Sequence, residues 1–139
     1  MHRYSVAMSR SIFVNLPIEK LGRSVEFFSE LGFTFNPQFT SDDSTCMIIG
    51  PQNFAMLLER DKFASFIDKP IADRNTVETL IALSCDSIDE VRQLCEKAFI
   101  LGARKYKEPD EYPFMFGWGF EDLDGHIWEL FWMNPEHLQ

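Results

Sequence analysis

The sequence predicts an α+β fold, built as tandem βαβββ units that form a curved mixed sheet. Three observations predict it. Short stretches alternate apolar and polar residues with the period of a strand. Two amphipathic stretches carry the helical spacing, and each ends in Leu-Gly. The same order of elements then occurs twice at nearly constant offsets within 139 residues.

The first strand is IFVNLPI, residues 12 to 18, with Val14, Leu16 and Ile18 on one face and Phe13, Asn15 and Pro17 on the other. Pro17 suits an edge or a strand end because it has no N–H to donate. A helix is predicted over 19 to 31, with Leu21, Val25, Phe28 and Leu31 three or four apart and Gly32 in the C-terminal cap position. FTFNPQF, TCMIIG and FAMLLE read as the next three strands, separated by the turn-forming SDDS and GPQN.

The second unit opens with TLIALSC, residues 79 to 85. Ser87 is then placed to cap a helix, with Glu90 as reciprocal partner. Ile88, Val91, Cys95 and Ala98 form the apolar stripe of that helix, which ends at Leu101-Gly102. ARKYKE, FMFGWGFED and GHIWELFWM are the remaining strands, with DLDG as the tight turn before the last. Leu16 to Leu83 and Leu21 to Ile88 are both offsets of 67, and the final strands align at 73, with Met56 on Glu129. The predicted domain runs over 11–134, with units at 11–60 and 78–134. A linker at 61–77 includes a short helix at FASFI. Each half is too small to bury both sheet faces, so the pair is expected to close into one body.

Composition narrows the function. An apolar share of 45% with 14 Phe predicts a packed globule, and a net charge of −9 disfavours a nucleic-acid partner. No apolar run approaches membrane-spanning length, so no membrane partner is expected. Cys46, Cys85 and Cys95 show no CxxC spacing; they read as core thiols in a reducing, cytoplasmic setting. Glu129 stands out in the last strand, a carboxylate among Ile127, Trp128, Leu130, Phe131 and Trp132. A charge in such a run has to be paired, protonated, metal-bound or turned to solvent.

LPIEKLGRSVEFFSEL, residues 16 to 31, and FEDLDGHIWEL near the C-terminus resemble the signatures of the vicinal oxygen chelate superfamily. Within it the chain is most similar to glyoxalase/bleomycin-resistance-like proteins. The resemblance implies a cleft lined by the sheets. In metal-dependent members it implies two His and two Glu as ligands from the first and last strands. Those positions fall here on Phe13, Leu80, Met56 and Glu129, a set unsuited to a hard divalent ion. Glu59, three residues from Met56, belongs to the opposite strand face, and His126 alternates away from Glu129. His2 and His137 lie near the chain ends.

The resemblance therefore implies a small-molecule-binding protein that takes an apolar or aromatic ligand, a cationic one included, with no cofactor. The expected ligand-binding residues are Phe13, Asn15, Met56, Leu80, Phe114, Phe116, Trp118, Glu129 and Phe131. Phe114, Phe116 and Trp118 recur at every second residue, which serves a cavity wall and a sheet core equally well. The alternatives are a lyase, isomerase or other glyoxalase-like enzyme, with a divalent metal or with Glu129 as the catalytic general base, and a non-catalytic structural protein. A homodimer is expected, with the N-terminal decad and the PEHLQ tail as partner contacts.

Overall fold

Each half of the chain lays one helix against one face of a four-stranded sheet. The computed structural model describes residues 9–137, so His2 and the ends of both expected partner-contact segments lie outside the described residues. The first half runs β1 (Ile12–Ile18), α1 (Leu21–Glu30), β2 (Thr34–Asn36), β3 (Ser44–Gly50), β4 (Asn53–Glu59) and a short α2 (Arg60–Ala64). The second runs β5 (Leu80–Ser84), α3 (Ile88–Ile100), β6 (Asp110–Glu111), β7 (Met115–Glu121) and β8 (Ile127–Met133). The chain divides into two units between Ile71 and Ala72.

Both sheets have the same order, β1-β4-β3-β2 and β5-β8-β7-β6. In each, the first and last strands pair parallel and the hairpin strands pair antiparallel. The registers reproduce the sequence repeat. Asn15 pairs with Met56 and Ala82 with Glu129, which are offsets of 67 and 73. Cys46 opposite Met56 becomes Gly119 opposite Glu129 by the same 73.

In the first unit Leu16, Ile18, Met47, Ala55 and Leu57 are buried on one sheet face, together with Phe27, Phe28 and Leu31 of the α1 region. Gly32 follows α1 with φ of +105°, the left-handed conformation that a non-glycine residue resists. No side chain of Lys20 caps α1. Instead the Glu59 carboxylate, from the end of β4, accepts the Leu21 N–H at 2.9 Å. That explains the acidic residue on the strand face away from Met56: it supplies a negative charge to a helix N-terminus.

In the second unit Val91, Cys95 and Ala98 are buried as the stripe predicts, while Ile88 at the first turn stays exposed. Ser87 caps α3 by accepting from the Glu90 N–H at 3.0 Å, and Glu90 reaches back to the Asp86 N–H at 2.7 Å, one residue beyond the expected partner. Burial pushes the Cys85 thiol up to about 11 and Cys95 to about 12, so both are protonated thiols near neutrality.

Three elements differ from the sequence pattern. FTFNPQF is a strand only to Asn36, because Pro37 lacks the N–H a ladder needs and opens a 3₁₀ turn. ARKYKE is not a strand. Arg104 alone bridges to Glu121, and Pro109 delays β6 to Asp110. The short helix begins at Arg60, directly after β4, and ends before most of FASFI.

The turn before β8 is held by Asp122, buried at 5% exposure. Its carboxylate accepts the Asp124 and His126 N–H groups at 2.9 and 3.0 Å and the Trp128 indole N–H at 2.8 Å. Gly125 completes the turn at φ +90°. Asp122→Ala strands three donors, two of them buried. Urea denaturation should show a loss of about 3 kcal/mol, a large share of a small unit's stability.

Candidate functional site

Glu129 sits at the centre of the sheet face that α3 leaves open. Strand pairing arranges that face in rows across the second sheet. One row runs Leu80, Ile127, Glu121 and Arg104; the next runs Ala82, Glu129 and Gly119; the third runs Ser84, Phe131 and Gly117. Alternation sends the intervening residues to the other face, under the helix.

This parity corrects the expected aromatic wall. Phe116 and Trp118 lie opposite to Glu129, buried at 2% and 5% exposure. The Phe99 ring of α3 meets Trp118 edge-on at 5.3 Å, and the Arg92 guanidinium lies 4.7 Å from the Phe116 ring. They are helix-side core and do not line a site beside Glu129. Phe114, just before β7, stacks on Tyr112 with ring centres 5.5 Å apart and is half-exposed. The glycines between the aromatics, Gly117 and Gly119, make room on the Glu129 face.

Two residues missed in the sequence complete the site. The Tyr106 hydroxyl donates to Glu129 Oε2, and the Lys107 ammonium approaches the same oxygen at 3.5 Å while pairing with Asp110 at 2.9 Å. The ARKYKE segment can present them because it runs outside the ladder. Trp118 anchors it, donating its indole N–H to the Lys107 carbonyl at 2.9 Å. Their signal was the YK dipeptide opposite a strand glycine, which a strand assignment concealed.

Gly119 is the structural condition for this pair. A Cβ there would stand 2.5 Å from the Trp128 carbonyl oxygen, 2.8 Å from the Tyr106 hydroxyl and 3.3 Å from the Glu129 carboxylate. Tyr106 is itself held in its protonated form. Burial, the hydrogen bond to Glu129 and that carboxylate's charge all raise its pKa above the ordinary phenol value.

The remaining expected residues occupy the equivalent face of the first sheet or the row beside Glu129. Phe13 stacks on Phe54 at 4.7 Å, Asn15 donates to the Phe13 carbonyl at 3.2 Å, and Met56 is half-buried between their strands. Leu80 is 60% exposed and Phe131 half-buried. Among the described residues, no three His, Cys, Asp or Glu side chains come close enough to hold a metal ion. The donor types at Phe13, Met56 and Leu80 do not fit the four-ligand arrangement. His126 is buried at the Asp122 turn, its Nδ1 4.0 Å from Glu78.

A cleft of about 390 Å³ opens beside this face in the second unit. It is lined by Arg74, Asn75 and Val77 of the segment before β5, Leu80 and Ile127 of the sheet, and Arg104, Tyr106, Glu121 and Gly125. Tyr106 thus connects the cleft with Glu129.

Comparison with known proteins agrees with this architecture. Residues 10–50 match the family model described as bleomycin resistance protein-like N-terminal. A hypothetical protein from S. aureus superposes with a TM-score of 0.76 at 29% identity, over 89% of this chain and 94% of that one. A glyoxalase-related enzyme from Fulvimarina pelagi gives 0.77 at 20%, over 92% and 90%. The fosfomycin resistance protein FosX from Listeria monocytogenes gives 0.67 at 18%, over 95% and 99%. No functionally curated protein matches the chain. The fold is that of the vicinal oxygen chelate proteins. Over residues 10–50 the chain is similar to bleomycin resistance protein-like N-terminal segments, in line with its sequence resemblance. Among the described residues no helix is long and apolar enough to cross a membrane.

Two measurements check the site. Gly119→Ala should cost about 2–4 kcal/mol in urea denaturation, since its Cβ meets backbone as well as the Tyr106–Glu129 pair. Alkaline difference absorbance, with Tyr106→Phe as reference, should find Tyr106 protonated at a pH where a free phenol has ionised. The sign follows from a raised folded-state pKa. The stabilisation is fully present below the ordinary value of 10.0 and is lost as pH climbs from there toward the folded-state value.

Proposed function

We propose that this chain is a small-molecule-binding protein whose ligand lies on the open face of the second sheet, with no metal held by the protein. The observation that carries the proposal is the state of Glu129. Its Oε2 is engaged by Tyr106 and Lys107, and its repeat-related and strand-related positions hold Met56, Phe13 and Leu80. A carboxylate with that company orients a polar group of a ligand; it does not assemble an ion's coordination shell.

The ligand is apolar or aromatic over most of its surface. Leu80 and Ile127 supply the apolar contact, and the Tyr106 hydroxyl and the Glu129 carboxylate supply polarity. Lys107 already provides Glu129 with a cation, which removes much of the reason for a cationic ligand. The Tyr106–Glu129 hydrogen bond also favours a second reading, metal-free proton transfer, in which Glu129 is the base and Tyr106 relays the proton.

Differential scanning fluorimetry of the full chain in excess EDTA tests the binding reading. An uncharged aromatic probe such as benzamide should give a saturable rise in Tm, and Leu80→Asp should abolish it without lowering the basal Tm by more than a degree or so. Near-equimolar binding of Mg²⁺, Mn²⁺, Zn²⁺ or Ni²⁺ that disappears in Glu129→Gln would overturn it.

A further inference from the structure

The first unit shows what the fold alone requires at the cleft. The row formed there by Arg104, Glu121, Ile127 and Leu80 has its counterpart in Thr34, Ile48, Phe54 and Phe13, an uncharged row with a ring stack. Charge at this row is therefore a property of the second unit, not of the architecture.

Its sign runs against the surroundings. From Ala72 onward the sequence has six basic and fourteen acidic residues, a net of −8, whereas the whole chain carries −9. Yet two of those six cations, Arg74 and Arg104, line one cleft whose only lining carboxylate is Glu121. Glu121 is 16% exposed and committed to Arg104, which approaches its Oε1 through Nε at 3.1 Å and Nη2 at 3.0 Å. Nearby acids are turned to other partners. Asp73 accepts the Asn75 N–H at 2.9 Å, and Glu78 lies 4.0 Å from His126.

Arg74 shares the same carboxylate but is held by it less closely than Arg104. Its Nη1 donates to the Leu123 carbonyl at 3.0 Å, which fixes the guanidinium over the Asp122 turn, and its Nη2 is 3.9 Å from Glu121, beyond hydrogen-bond distance. The side chain is 56% exposed and retains donors for a planar oxyanion. The same cleft is lined by the apolar Val77, Leu80 and Ile127, the first two each 60% exposed. An exposed guanidinium fixed by a backbone carbonyl, in one cleft with aliphatic side chains, matches an amphiphilic anion.

We propose that this cleft binds a small organic carboxylate, with the carboxylate on Arg74 and Arg104 and an aromatic or branched apolar body against Val77, Leu80 and Ile127. The assignment rests on the small-molecule reading above and names the charge and polarity of the ligand. Tyr106, which lines the cleft and bonds Glu129, brings the bound body up to that pair.

Isothermal titration of the full chain with benzoate, benzamide and benzylamine separates the possibilities, because the three share a ring and differ in charge. Benzoate should bind best, and Arg74→Gln should weaken it by roughly five- to tenfold while leaving benzamide unchanged. Arg74→Glu should abolish benzoate binding. Lys97→Gln, which removes an exposed charge from the last turn of α3, should leave benzoate affinity unaltered. Benzoate binding equal to benzamide binding, or equal losses in Arg74→Gln and Lys97→Gln, overturns the carboxylate assignment and leaves the small-molecule reading intact. Failure of all three probes to bind overturns both.

Discussion

One helix covers one face of each sheet, and the two-residue period of the strands converts that constraint into the whole site. Once α3 packs on Phe116, Trp118, Trp128 and Leu130, every neighbour in sequence is committed to the other side. Glu129 faces open ground because Trp128 and Leu130 cannot. Gly117 and Gly119 are bare there because the aromatics beside them are spent on the core. A slip of one residue between β7 and β8 would bury Glu129 under the helix without a partner.

The two units share this backbone rule and use it differently. The first fills its open face with Phe13, Phe54, Ile48 and Met56, in the company of the amides of Asn15 and Asn36. The second replaces the matching positions with Leu80, Ile127, Glu121 and Glu129, then brings Tyr106 and Lys107 over the sheet edge to meet them. Duplication supplies the frame. The chemistry comes from departures, and they cluster in one unit.

Strand order, both helices and the position of Glu129 were legible because they follow from periodicity, Leu-Gly termini and a countable repeat. The aromatic series at Phe114, Phe116 and Trp118 was misplaced for a physical reason. Alternation fixes that residues share a face but not which face, and the bulky set, not the glycine set, is the one a helix can bury. Tyr106 and Lys107 were hidden because their segment owes its path to contacts distant in sequence, such as Trp118 on the Lys107 carbonyl. The outside cap of α1 by Glu59 was equally invisible, since its partner lies 38 residues away.

That cap also distinguishes the two helices by how local their first-turn acceptors are. α3 carries Ser87 and Glu90 at its own N-terminus, so its first turn can be satisfied while the strands are still unpaired. α1 begins after an uncapped Lys20 and receives its acceptor only when β4 has docked beside β1 and delivered Glu59. The first turn of α1 is therefore satisfied by a residue 38 positions away, and that of α3 by residues beside it in the sequence.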